Sequence, residues 1–177
     1  MIELADVRNP EGAEEAAIWE LYERAFPRCE RRSPAAHLRA MSCGEVFHCR
    51  KILKGGDVVG LLFYWQFPEF IFVEHLAVAE DRRGQGVGCG ALKLLCQKGL
   101  PIVLEIEPPA DEVTQRRLQF YLSCDFVELD AEHEQLPFHE DSSAVPMRLL
   151  SWPGPLAAAD VALLEHYLRD VVMRFVD

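Results

Sequence analysis

The chain has 177 residues, half of them hydrophobic and 27% charged, with a formal net charge of −11. That length favours one domain around a single core, with room for a small appendage, and the composition excludes wholesale disorder. So acidic a surface argues against nucleic-acid partners, which require Lys and Arg against phosphate, whereas an acidic cleft would draw a cationic ligand.

In chain order, residues 1–8 read as a first strand and residues 9–12 (Asn-Pro-Glu-Gly) as a turn. Residues 14–26 carry Ala17, Ile18, Leu21, Tyr22 and Ala25 at helical spacing, and Pro27 ends that helix. After a polar connection (Cys29 to Arg32), Ser33-Pro34 opens a second helix, to about Met41. Residues 47–53 and 58–65 are strands around the hairpin signal Lys54-Gly55-Gly56-Asp57, and residues 70–78 follow as a third meander strand.

Then comes an acidic, doubly basic turn (Glu80, Asp81, Arg82, Arg83), glycines at 84, 86 and 88, and a helix over residues 87–98. A strand, a glycine loop and a helix start aim backbone N–H groups and a positive helix end at one spot, which suits phosphate. Residues 101–107 form a short buried strand that Pro108-Pro109 breaks, and residues 111–123 are helical. Residues 126–129 and 147–150 read as a closing hairpin joined by a long polar loop (130–144), and a last helix spans residues 157–175. Its apolar face (Val161, Leu164, Leu168, Val171, Val172, Phe175) is either ordinary core or a homodimer seam. The expected architecture is a mixed α/β fold: residues 1–152 as one domain, with residues 153–177 as a helical extension packed on it or on a partner subunit.

No run approaches a membrane span and the first residues do not resemble a signal peptide, so a cytoplasmic protein without membrane partners is expected. The six cysteines (29, 43, 49, 89, 96 and 124) lack C-x-x-C spacing and are expected as small buried thiols in a reducing compartment. No metal site is expected, since the adjacent His48-Cys49 with Cys43 suits tetrahedral ligation poorly.

Arg83-Gly84-Gln85-Gly86-Val87-Gly88 matches the Q/R-x-x-G-x-G/A signature of the GNAT acyl-CoA N-acyltransferases. Leu76-Ala77-Val78 resembles the strand that leads into it, and Phe120-Tyr121-Leu122-Ser123-Cys124-Asp125-Phe126 resembles the family's L/F-Y-x-x-x-G-F segment. The chain is thus identified as resembling a bacterial-type member over most of residues 1–150. Two departures stand out: Asp125 takes the place of the usual glycine, and Thr114 that of a common asparagine. A P-loop would need Gly-Lys-Ser/Thr at its end, which Gly88-Cys89-Gly90 does not supply. A dinucleotide site would place the glycines after the first strand of a parallel unit, although Glu105 or Glu107 lies where its ribose-binding acid would sit.

The resemblance implies a central, mostly antiparallel sheet with helices on both faces, and transfer of an acetyl group from acetyl-CoA to a primary amine by direct attack. It implies that the backbone of Arg83, Gly84, Gln85, Gly86, Val87 and Gly88 holds the pyrophosphate. Leu76, Ala77 and Val78 would pair with the pantetheine and polarise the thioester, and Thr114 would touch that arm. Tyr121 matches the tyrosine that protonates the leaving thiolate. Glu74, sharing a strand face with Leu76 and Val78 by period-two alternation, is the candidate base, and His75 replaces it if the register is opposite. A solvated Glu74 paired with a surface arginine and a core Tyr121 are the bland alternatives. Glu105 and Glu107 either line the acceptor site and select a cationic amine or are plain surface acids. Arg31 or Arg32 is placed to recognise a carboxylate, and residues 136–139 to close over the cleft. Two other functions stay open: a non-catalytic acyl-CoA-binding or sensing domain, and a protein or peptide N-acetyltransferase.

Overall fold

The computed structural model describes residues 1–7, 12 and 15–176; the turn expected at residues 9–12 lies largely outside them. The strands are β1 (Ile2–Asp6), β2 (Phe47–Lys54), β3 (Asp57–Gln66), β4 (Ile71–Val78), β5 (Ile102–Ile106), β6 (Val127–Glu128), β7 (His133–Gln135) and β8 (Val145–Trp152). They form one sheet in the order β1-β2-β3-β4-β5-β8-β6, with β7 also paired to β8. Every pairing is antiparallel except β4 with β5. The helices are α1 (Ala16–Ala25), α2 (Pro34–Met41), α3 (Val87–Cys96), α4 (Glu112–Ser123) and α5 (Ala158–Asp170).

Two cores flank the sheet. β3 supplies both, because its residues from Val59 to Trp65 are all buried and their side chains alternate. Leu61, Phe63 and Trp65 pack with Ile18 and Leu21 of α1, Ala40 of α2, and Leu164 and Leu168 of α5. Leu62 and Tyr64 pack with Val87, Ala91, Leu92 and Leu95 of α3 and Tyr121 of α4. The helix starts follow local chemistry. Ser33 accepts from the N–H of Ala36 at 3.2 Å, with Pro34 in the first turn. Asp111 and Thr114 form a reciprocal capping box at the start of α4.

Three features depart from the sequence expectations. The long polar loop holds a three-residue strand, β7, which pairs His133 with Met147 of β8. The last helix stops at Asp170, and a 3₁₀ turn over Val172–Phe175 finishes the chain. Cys89 in the first turn of α3 and Cys124 at the end of α4 are joined as a disulfide, with Cα atoms 5.7 Å apart, so these two are not the free thiols expected. The bond ties the helix after the glycine loop to the helix that carries Tyr121. Asp125 adopts φ +66°, the left-handed conformation glycine would supply, so the turn keeps its shape with an aspartate in it.

β4 carries the feature that shapes the site. Its pairing with β3 slips by one residue: Phe63 faces His75 and Tyr64 faces Val73, leaving Glu74 as the extra residue of a β-bulge. Strict alternation is broken there. Glu74 reaches Trp65 and His75 packs on Tyr22 and Phe63, so both point to the α1/α2/α5 side. Leu76 and Val78 turn to the α3/α4 side. The expected grouping of Glu74 with Leu76 and Val78 is therefore corrected. β4 pairs with β5 only from Ile71 to Val73, and at the bulge the two strands part. No helix among the described residues is long and apolar enough to cross a membrane.

Candidate active site

The splay between β4 and β5 opens a cleft of about 850 Å³ that runs through the sheet. One wall is the exposed backbone of β4 from Val73 to Val78; the floor is Arg83, Gly84, Gly86, Val87 and Gly88. Gly84 and Gly86 have φ values of +71° and +72°, which L side chains adopt only under strain, and nothing stands within 4 Å of where their Cβ atoms would be. Gly88 has a different reason to lack a side chain: an added Cβ would lie 2.8 Å from Phe120. The first N–H groups of α3 have no intrahelical acceptor and face this floor, which makes it an anion cradle.

The α3/α4 end of the cleft is cationic. Arg82, Arg83 and Arg116 line it, a concentration of positive charge in a chain of net charge −11, while Arg117, paired with Glu107, lies near enough to Glu30 to act on its charge. Arg83 donates from Nε to the carbonyl of Val78 at 3.1 Å, fixing the loop to the strand end. Arg82 pairs with Asp81 and Asp57, Arg116 with Glu112 and Arg117 with Glu107. Arg116 and Arg117 were missed from sequence, although a doubly basic pair on the helix of Tyr121 was a usable signal.

The opposite end is acidic and partly aromatic, lined by Phe26, Glu30, His75, Glu105, Gln135 and Met147. Burial, and then the nearby charge of Glu107, raises the Glu30 carboxyl above its ordinary value. Glu105 projects from β5 with its side chain 9% exposed. Its Oε1 is hydrogen-bonded to His133, and its Oε2 makes no hydrogen bond among the described residues. Neither Glu30 nor His133 was singled out from sequence; each sits in a segment that reads as plain polar connection.

Of the two residues expected to be catalytic, Tyr121 lines the cleft. It is 8% exposed, its ring packs edge-on to Phe120 and Phe126, and its hydroxyl makes no hydrogen bond among the described residues. Burial pushes its pKa up to about 12, so it holds its proton at any physiological pH. Glu74 stands differently. Both its oxygens are committed: Oε2 to Arg32 Nη1 at 2.5 Å and Oε1 to Trp65 Nε1 at 3.2 Å, with the side chain 3% exposed. Burial alone would raise its carboxyl, but the Arg32 guanidinium and His75 hold it well below the usual carboxylate range. A general base needs a free oxygen open to the substrate. Both oxygens of Glu74 are taken.

Its partner was misplaced too. Arg32, expected to greet an acceptor carboxylate, is fully buried under Phe47, Trp65 and Phe138, and recognises the internal carboxylate of Glu74. Its remaining donors bind the carbonyls of Val172 and Phe175. Arg31 bonds the Phe26 carbonyl. His139 in the 136–139 segment binds the carbonyls of Arg28 and Arg31. His75 is buried, with Nε2 on the Glu30 carbonyl at 2.8 Å. Thr114 is occupied by the capping box and Gln85 by Lys54 and the Asp81 carbonyl, and neither lines the cleft. Leu76, Ala77, Val78 and the remaining loop residues come together in it.

Comparison with known proteins accords with this arrangement. Residues 15–126 match the model of the Acetyltransferase (GNAT) family. The chain is 37% identical over 100 residues to a Bacillus subtilis (strain 168) protein named "Putative acetyltransferase YjbC", an alignment spanning 54% of this chain and 49% of that relative. This chain therefore spans about half the length of that relative. A solved structure from Bacteroides thetaiotaomicron, described as a "Putative acetyltransferase from GNAT family", superposes with a TM-score of 0.85 at 31% identity, covering 97% of this chain and 98% of that one. A Bacillus subtilis acetyltransferase solved in complex with CoA shares the fold, with a TM-score of 0.56 at 16% identity over 85% of this chain and 95% of that one. With a family model covering more than half of the sequence, and with the open mixed sheet split between β4 and β5, the chain belongs to the GNAT acetyltransferase family.

Proposed function

We propose that this protein transfers an acetyl group from acetyl-CoA to a primary amine of a cationic small molecule by direct attack. The observation that carries this reading is the uneven charge of the cleft: Arg82, Arg83 and Arg116 beside the anion cradle, and Glu30 and Glu105 lining the same cleft away from the glycine loop. That a neighbour of the same fold was solved with CoA supports CoA as the ligand.

In this reading the loop N–H groups from Arg83 to Gly88 hold the pyrophosphate, with Arg116 near the phosphates. The β4 backbone at Leu76, Ala77 and Val78 pairs with the pantetheine and polarises the thioester carbonyl as charge develops on its oxygen. Glu105, with Oε2 free, takes over the role first assigned to Glu74: it binds the acceptor ammonium and accepts its proton. The amine lone pair attacks the carbonyl carbon, the C–N bond forms, and the C–S bond breaks with its electron pair going to sulfur. Tyr121 protonates that thiolate and recovers a proton from the nitrogen. One proton per turnover leaves through Glu105 to solvent.

Two measurements test this. CoA release is followed across polyamines, aminoglycosides, amino acids and peptides. Turnover is expected with diamines and polyamines above neutral or acidic amines. CoA binding without turnover on any amine would instead mark a sensing domain, and preference for peptides a protein acetyltransferase. Gly86→Val places a branched side chain at positive φ over the cradle. Its CoA affinity, read by calorimetry, is expected to fall at least about tenfold, the equivalent of one charge-assisted hydrogen bond. Unchanged affinity would remove the loop from the binding site.

A further inference from the structure

We propose that His133 and Glu165 are positioning residues for Glu105, so that the C-terminal helix forms part of the catalytic apparatus. This rests on the assignment of Glu105 to the acceptor amine.

The three side chains come from separate elements, β5, β7 and α5, and meet in a line. His133 Nε2 lies 2.5 Å from Glu105 Oε1, and His133 Nδ1 lies 2.5 Å from Glu165 Oε1. The imidazole is fully buried, Glu105 opens at the cleft, and Glu165 is 35% exposed on the outer side. A neutral ring can donate to only one carboxylate and would turn a lone pair on the other, so both bonds are satisfied together only by the imidazolium. Burial would lower the His133 pKa, but hydrogen bonds and charge from Glu105 and Glu165 raise it, and its cross-strand neighbour on β8, Met147, carries no charge. Glu105 and Glu165 are the charged groups whose fields act on the ring.

A brace for α5 is the simpler reading, and it falls short on two counts. α5 is already anchored by Leu164 and Leu168 in the core, and the segment after it by Arg32 on the carbonyls of Val172 and Phe175. A fully buried imidazolium between two carboxylates is a costly fastening, and apolar residues would hold a helix at lower cost. What the array does achieve is local to Glu105. It fastens Oε1 and so restrains a carboxylate that lines the cleft, the preorganisation a base requires. Glu165 in turn keeps the ring oriented and charged. Glu105 lies inside the stretch the family model matches, whereas His133 and Glu165 lie beyond its end at residue 126.

The test uses the whole chain, acetyl-CoA and the amine turned over fastest in the panel above. Glu165→Gln, on the exposed end and outside the cleft, is expected to lower kcat about tenfold or more while the KM for acetyl-CoA stays unchanged, because a loosened base loses its alignment. Its high-pH limb of kcat should move to lower pH, since removing a carboxylate lowers the pKa of His133. Glu165→Asp should recover part of kcat. His133→Gln gives an independent variant and should match or exceed the loss. If both variants melt earlier but keep the wild-type kcat and pH profile, the array is only a brace and the proposal fails. If the wild type turns over no amine at all, the acetyltransfer reading fails and this proposal falls with it.

Discussion

Glu74→Gln is expected to destabilise the fold by about 3–5 kcal/mol, because it strips the counter-charge from a fully buried arginine. In a protein of this size that corresponds to a melting temperature lower by roughly 10 °C. Arg32→Met should cost at least as much: it abandons Glu74 in the core and also releases the carbonyls of Val172 and Phe175 that the guanidinium satisfies. The double variant Arg32→Met with Glu74→Leu should recover part of the loss, since no unpaired charge then remains buried. The pH dependence has a definite sign. The folded-state pKa of Glu74 is depressed, so its contribution is present above the unfolded value, about 4.3, and is lost as pH falls below it. Thermal melts between pH 3 and 7 should show a shallower acid slope for Glu74→Gln than for wild type. Equal melting temperatures and slopes would mean that the pair is not the anchor described here.

Tyr121→Phe carries the largest effect expected on rate: kcat down about 100-fold or more, within the usual span for a positioned proton donor. KM for acetyl-CoA and the melting temperature should barely change, because the hydroxyl makes no hydrogen bond among the described residues and the ring keeps its packing. Since burial holds the phenol near a pKa of about 12, the donor stays protonated through the working range, so a basic limb near pH 8–9 cannot belong to Tyr121. Stopped-flow CoA release separates the chemical step from product release. Full kcat in the phenylalanine variant would move the proton donor elsewhere.

Much of the fold could be read locally. The hairpin glycines at 55 and 56, Ser33-Pro34, the Asp111–Thr114 cap and the strand–loop–helix around Gly84 and Gly86 are contiguous signals, each with its own backbone requirement. The elements they mark lie close to where they were expected. The glycine-loop half of the cleft is one such stretch, which is why its lining could be named residue by residue. Thr114 and Gln85 are the exceptions, and both are occupied by bonds within a few residues or to a neighbouring strand.

The acidic half of the cleft is made of contacts that sequence distance hides. Period-two alternation says which way Glu74 points only while the strand is regular, and the bulge is set by the pairing of β4 with β3. Arg32 stands in a polar connection and looks like surface; it is buried because partners 42, 140 and 143 residues away converge on it. The Cys89–Cys124 bond and the Glu105–His133–Glu165 line likewise join segments 28 to 35 residues apart. The sequence by itself determined the glycine cradle, because a glycine loop before a helix needs only its own backbone. Tertiary structure alone decided which carboxylate is locked away and which stays at the cleft, because a buried charge is locked or freed by the partners that packing brings to it.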